Sequence, residues 1–80
     1  MESELSPGRK LLLATVDMPD IALKVPADDD LVLAGINSGD INRLGLAIEQ
    51  RTDRALTDDD LVELQTVSGI DRVLSARSRG

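Results

Sequence analysis

Apolar side chains in this chain recur at helical spacing, and each such run follows a residue that can cap a helix. No segment shows the alternating apolar and polar residues of a β-strand. The clearest case begins at Asn37, a good N-cap, with Asp40 three residues later as its expected capping-box partner. Ile41 and Leu44 then start an apolar stripe that predicts a helix ending near Thr52. This pattern restricts the chain to an all-α fold.

The same kind of signal predicts three further helices. Ser6 is the N-cap of the first helix, and Pro19 ends that helix at or near Met18. Thr57 caps a short third helix that begins with three aspartates, which suit the positive end of a helix dipole. Thr66 caps the last helix. The prediction is therefore a small four-helix bundle with a short third helix.

Residues 19–37 are predicted as a long loop between the first and second helices, because prolines and Gly35 interrupt them. Apolar residues such as Leu31 and Leu33 are too numerous in this segment for a disordered linker. We therefore expect the loop to pack on the domain, as an ordered loop of a length that is often functional.

The chain of 80 residues contains no cysteine, no histidine and no aromatic side chain. These absences exclude disulfides, thiolate or imidazole metal sites, and nucleophiles activated by histidine. They also remove the aromatic faces on which single-stranded nucleic acids stack. A chain of this length predicts one domain, residues 1–80, with loose tails at about 1–6 and 76–80.

Acidic residues dominate the charge, which is −6 for the whole chain. Residues 28–63 hold ten acids against three bases, so one side of the domain is either an electrostatic docking surface or simply a soluble face. This balance opposes binding to nucleic acid, including a helix-turn-helix reading of the last two helices. The longest apolar run, Leu11 to Ala14, is too short for a membrane span, and we expect a cytoplasmic protein without a signal peptide.

Two short sequences occur twice, each time thirty residues apart. Asp-Asp-Asp-Leu-Val stands at 28–32 and 58–62, and Ser-Gly at 38–39 and 68–69. The residues between them disagree, so coincident helix-start chemistry explains the similarity better than a structural repeat. Neither aspartate triplet has the alternating acids, glycine and final glutamate of a calcium loop, and no metal site is predicted.

Ser38 lies in the first turn of the strongest predicted helix, after a loop and beside an acid. A serine at a helix start is usually a cap or a bystander. A hydroxyl at the positive end of a helix dipole is also a favourable place for a covalently attached phosphodiester. The residues alone leave both interpretations open.

The segment Gly35-x-Asn37-Ser38 resembles the Gly-x-Asp-Ser-Leu attachment motif of acyl and peptidyl carrier proteins, whose serine receives a phosphopantetheine arm. The run from Leu56 to Asp60 is similar to the Ile-Pro-Asp-Glu-Glu lead into that family's short third helix. Thr66-Val67 resembles the start of its fourth helix, and the similarity extends over about residues 25–75.

This resemblance implies a bundle of the acyl-carrier type in which Ser38 carries 4'-phosphopantetheine, with Asn37 and Gly39 beside it. A phosphopantetheinyl transferase would add the arm from coenzyme A with magnesium, and the thiol of the arm would hold a substrate as a thioester. The protein is then a non-catalytic carrier and is expected to be a monomer. An adenylating enzyme or an acyltransferase would load it, and a downstream synthase or transferase would use its cargo.

We assign docking to these enzymes to residues of the second helix, the loop before it and the short helix. The alternative for each residue is a place in the core or on the surface without a docking role. The core interpretation is favoured for two of them, Leu44 and Leu61. The assigned residues are Ile36, Asp40, Arg43, Leu44, Leu61 and Val62.

The chain departs from the family pattern at three points. Asn37 replaces the acid before the serine, Gly39 replaces the leucine after it, and the second helix contains Arg43 and Arg51. These basic residues favour a stand-alone carrier in polyketide or nonribosomal peptide assembly over one in bulk fatty acid synthesis. The alternative is an unmodified acidic helical adaptor that binds a basic protein partner.

Overall fold

The computed structural model describes residues 5–78, and the side chains of residues 5–77. Within these residues the chain forms six helices and no strand, which confirms the all-α prediction. The helices are α1 (Pro7–Thr15), α2 (Pro19–Lys24), α3 (Leu31–Ala34), α4 (Ser38–Thr52), α5 (Asp58–Glu63) and α6 (Val67–Ser78).

The predicted N-caps begin their helices as expected. The Ser6 hydroxyl accepts a hydrogen bond from the Arg9 amide, and the Thr66 hydroxyl accepts one from the Gly69 amide. Thr57 and Asp60 form a reciprocal capping box at the start of α5. Each of these contacts spans three residues, so they depend on local sequence alone.

The predicted loop between the first and second long helices contains two short helices. Pro19 does not end the first helix but starts α2, since a proline fits the first helical position. Helix α1 ends earlier than predicted, at Thr15, and α3 follows the N-cap Asp30. The prediction of four helices joined by a long loop is therefore corrected to four helices plus two short ones.

The core consists of aliphatic side chains contributed by every helix except α5. Helix α1 packs against α2, α4 and α6, and α6 also packs against α4 and α5. The large side chains that are fully buried are Leu12, Leu31, Leu44, Ile48, Leu64, Val67 and Ile70. The expectation that the 19–37 segment packs on the domain holds for Leu31 but not for Leu33, which is 88% exposed.

The repeated pentapeptide adopts two different structures. Asp30 is the N-cap of α3, whereas its counterpart Asp60 is the third residue of α5. Leu31 is fully buried, while Leu61 is about half exposed. The difference supports coincidence over duplication.

The predicted loose tails differ in part from the structure. Helix α6 extends through Ser78, so the prediction of a loose segment from residue 76 is wrong for residues 76–78. Residues 1–4 and 79–80 lie outside the described part of the chain.

The two Ser-Gly pairs provide a matched test of the packing. A Cβ added at Gly69 would overlap the backbone carbonyl of Glu63, whereas one at Gly39 would meet only the Asn37 Oδ1 atom at 3.2 Å. We expect Gly69→Ala to lower the free energy of unfolding by about 2 to 3 kcal/mol, because backbone cannot move aside cheaply. Gly39→Ala should change it by no more than about 1 kcal/mol, because the higher helix propensity of alanine opposes the tight contact with Asn37. Urea unfolding followed by far-ultraviolet circular dichroism measures both, and equal losses would contradict this packing.

Candidate functional site

Ser38 is the first residue of the longest helix, α4, and its side chain is exposed. Within the described residues its hydroxyl has no hydrogen-bond partner. The hydroxyl therefore stands at the positive end of a helix of 15 residues, where the dipole favours negative charge.

The turn before Ser38 is shaped by a glycine, a buried anchor and a cap. Gly35 ends α3 in the left-handed region, with a φ of 115° that side-chain-bearing residues rarely adopt. The next residue, Ile36, is buried in the core, and its amide donates to the Leu31 carbonyl. Asn37 then caps α4 by accepting a hydrogen bond from the Gly39 amide at 2.7 Å. The anchor and the cap fix where α4 begins.

Asp40 does not complete the predicted capping box. Its carboxylate instead accepts a hydrogen bond from the Asp17 amide at 3.4 Å and lies 3.3 Å from the Arg43 guanidinium. With 4% of its surface exposed, Asp40 is the buried charged residue of the described core. Its burial costs solvation unless these partners satisfy it. Asp40 therefore ties the first turn of α4 to the α1–α2 connection.

The six residues predicted to dock partners separate into two groups. Ile36, Asp40 and Leu44 are buried, so a partner cannot touch their side chains in this conformation. For Leu44 this agrees with the core interpretation. Arg43, Leu61 and Val62 are exposed, and for Leu61 the core interpretation is corrected.

One side chain of helix α5, Leu61, approaches the face of α4 that begins with Ser38. Gly45 is seven residues after Ser38, which places it on the same face about 10 Å along the helix axis. A Cβ added at Gly45 would lie 3.2 Å from Leu56 Cδ1, 3.5 Å from Leu64 Cδ1 and 4.0 Å from Leu61 Cδ2, so Leu56 and Leu64 cover that part of α4 and Leu61 lies next to them. The structure thus brings Leu61 to the face of α4 that carries Ser38.

Helix α3 exposes two apolar residues that were not predicted to dock partners. Leu33 is 88% exposed and Val32 about half exposed, and the helix that carries them ends four residues before Ser38. A short helix could have been recognised from Asp30 as a cap and Gly35 as a stop. The exposure of Leu33 could not, because its spacing also fits a packed loop.

Ser68, the serine of the second Ser-Gly pair, is the alternative attachment residue, but it already has partners. Its hydroxyl donates to Asp28 Oδ1 at 2.9 Å, and its amide donates to the Ala27 carbonyl at 3.0 Å. These bonds attach the α2–α3 connection to the start of α6. Ser68 therefore has a structural role that Ser38 lacks.

The acidic triplets form no recognisable metal site. Between residues 5 and 78, no group of three or more acidic side chains is arranged to hold a metal ion. Over the same residues, no helix is long and apolar enough to cross a membrane.

Comparison with known families identifies the class of protein. A family model described as the phosphopantetheine attachment site matches residues 10–72, which include Ser38 and the helices around it. The chain belongs to this family. Neither the curated proteins nor the solved structures compared with it include a significant match.

The protein is therefore a phosphopantetheine carrier of the acyl and peptidyl carrier type, and its cofactor is covalent 4'-phosphopantetheine. Members of this class generally act without catalytic groups of their own, together with a phosphopantetheinyl transferase and other partner enzymes.

The cap on α4 generates a stability prediction. Replacing Asn37 with alanine leaves the Gly39 amide without its acceptor, and should lower the free energy of unfolding by about 1 kcal/mol. Asn42→Ala is the control, because Asn42 is exposed inside the same helix and alanine is the better helix former there. Chemical unfolding of both variants tests the cap, and a loss in Asn42→Ala as large as that in Asn37→Ala would contradict it.

Proposed function

We propose that Ser38 is the residue to which the phosphopantetheine arm is attached. The observation that carries the proposal is an exposed serine hydroxyl without a partner in the described chain, at the start of the longest helix. The hydrogen bonds that occupy Ser68 give further support.

The chemistry of attachment needs little from the protein itself. The Ser38 oxygen forms a bond to the phosphorus of the arm, the bond between that phosphorus and the adenosine bisphosphate part of coenzyme A breaks, and the hydroxyl proton leaves. The transferase catalyses this exchange. The chain contributes an accessible hydroxyl and the positive end of α4, which suits the negative charge of the resulting phosphodiester.

The surroundings of Ser38 fit such a group. The Asn37 side chain accepts the hydrogen bond of the Gly39 amide. The space beside Gly39 is otherwise open, since an added Cβ there meets no other side chain within 4 Å. An arm attached to Ser38 therefore leaves the domain toward solvent. When bound, the arm supplies a thiol that carries an acyl or aminoacyl group as a thioester.

The proposed pathway is polyketide or nonribosomal peptide assembly, with the chain acting as a monomeric cytoplasmic carrier of one domain. Its support is Arg43, whose exposed guanidinium stands on the first turns of α4 and pairs with Asp40 and Asp17. This pairing makes that face of α4 less acidic than the corresponding helix in the carriers of fatty acid synthesis. An adenylating enzyme or an acyltransferase would load the arm, and a synthase or transferase would receive the cargo.

The proposed docking surface consists of the side chains that a partner can reach. Its exposed members are Arg43, Leu61 and Val62. The buried residues contribute indirectly, because they fix the start of α4, and they are Ile36, Asp40 and Leu44. Leu33 extends the exposed apolar surface on the α3 side.

The attachment site is tested by intact mass after incubation with coenzyme A, magnesium and a broad-specificity phosphopantetheinyl transferase. We expect the wild-type protein to gain the mass of one phosphopantetheine group and Ser38→Ala to gain none. Ser68→Ala is the matched control and should gain the group as the wild type does.

Two results would contradict the assignment. A gain of phosphopantetheine mass in Ser38→Ala would show that the arm is attached to another residue. No gain in the wild-type protein with any transferase would favour the unmodified adaptor instead.

The glycine after Ser38 generates a second prediction. An added Cβ at position 39 meets only Asn37 Oδ1 within 4 Å, at 3.2 Å, so a leucine fits when the Asn37 side chain shifts by a few tenths of an ångström. If a transferase covers about half of that leucine, Gly39→Leu should raise kcat/KM for modification about tenfold, equivalent to about 1.4 kcal/mol. Gly39→Ala controls for the change in backbone freedom and should leave kcat/KM within about twofold. Equal kcat/KM values for Gly39→Leu and Gly39→Ala would show that the transferase does not contact the leucine.

A further inference from the structure

Helix α5 has an unusual attachment to the rest of the domain. It has six residues, none of them buried, yet it carries the exposed apolar pair Leu61 and Val62. Apolar burial of its own side chains therefore contributes little to its position. The C-cap residue Leu64 is fully buried and anchors the end of α5, so the start of α5 is the part that depends on polar contacts.

Arg77 provides the main polar contact. Its guanidinium donates to Thr52 Oγ1 at 2.8 Å and to the Arg54 carbonyl at 2.9 Å through Nη1. Through Nη2 it donates to the Ala55 carbonyl at 2.7 Å and to Asp60 Oδ2 at 3.2 Å. One side chain thus joins the end of α4, the α4–α5 connection and the start of α5.

This arrangement suits an arginine in particular. The Arg77 side chain is only 6% exposed, and its planar guanidinium group donates to four acceptors at once. A lysine ammonium could not reach the same set. The Thr57 amide and Arg77 lower the pKa of the Asp60 carboxyl, so this partner stays ionised at neutral pH.

The contact at the other end of α5 is weaker. Arg72 and Glu63 form an ion pair at 2.7 Å, but their side chains are 62% and 40% exposed. Exposed pairs of this kind contribute little to stability. The Arg77 side chain, which is 6% exposed, is therefore the buried polar attachment, and it holds the start of α5.

The position of α5 matters for Ser38. Leu61 approaches Gly45 on the face of α4 that begins with Ser38, and Val62 beside it is 65% exposed. A shift of α5 would move both apolar side chains relative to the serine. Arg77 thus lies far from Ser38 in sequence but contacts the helix that carries both apolar side chains.

We propose that Arg77 is a positioning residue for partner recognition, which holds the start of α5 so that Leu61 and Val62 form an apolar contact surface on the side of α4 that carries Ser38. The expected partner is the transferase that modifies Ser38, which would cover these two side chains with an apolar patch. This inference rests on the proposed function of Ser38.

The test compares Arg77→Gln and Arg77→Lys with the control Arg51→Gln. Arg51 is exposed in the last turn of α4 and has no partner in the described chain, so its replacement removes the same charge without releasing α5. Hydrogen exchange at the Leu61 and Leu64 amides reports the attachment of α5 to the domain. The KM and kcat for modification by the transferase report recognition.

We expect exchange at these amides to be about tenfold faster in Arg77→Gln, with a smaller increase in Arg77→Lys. The KM for the carrier should rise about fivefold while kcat stays within about twofold, because recognition changes and the hydroxyl does not. Arg51→Gln should match the wild type in both measurements. Arg77→Lys keeps the test available if the glutamine variant does not fold.

A double-mutant cycle distinguishes positioning from general loss of stability. In a Leu61→Ala, Val62→Ala background, Arg77→Gln should raise KM by less than about twofold, because the side chains it positions are gone. An unchanged KM in Arg77→Gln, unchanged exchange, or the same KM increase in both backgrounds would overturn the inference. If the wild-type protein accepts no arm, the Ser38 assignment fails and this inference with it, whereas an unchanged KM in Arg77→Gln leaves the assignment intact.

Discussion

The buried face of α4 is the contact on which the rest of the structure depends. Leu44 and Ile48 are fully buried, and α4 packs through them against α1 and α6. In a chain without aromatic side chains, such aliphatic contacts must supply nearly all of the hydrophobic stabilisation. Burying this face fixes the position of α4, and its first residue, Ser38, is exposed at the N-terminal end of the helix.

The absence of cysteine and histidine agrees with the role of a carrier. A carrier of this family obtains its reactive thiol from the attached arm and generally acts without catalytic groups of its own. The chain needs an accessible attachment residue and a surface that partners can read. Its polar interactions are accordingly structural. Asp40 ties α4 to the α1–α2 connection, and Arg77 joins α4, α5 and α6.

Local signals in the sequence predicted the long helices and their caps, while long-range contacts decided what could not be predicted. The caps at Ser6, Thr57 and Thr66 bond within three residues, so the sequence contains both partners of each bond. The direction of the Asp40 carboxylate depends on Asp17, which is 23 residues away. Likewise, the partners of Arg77 precede it by 17 to 25 residues. The burial of Leu44 agrees with its place in the predicted apolar stripe, whereas only the folded chain shows that Ile36 is buried beneath the surface it was expected to form.

The most direct test of the carrier account counts thiols. The chain contains no cysteine, so every thiol on the mature protein must come from an attached group. After treatment with coenzyme A and a broad-specificity transferase, followed by removal of free coenzyme A, the denatured wild-type protein should contain one titratable thiol per chain. Ser38→Ala should contain none. The absence of a thiol on the treated wild-type protein, or one thiol on Ser38→Ala, would contradict attachment at Ser38.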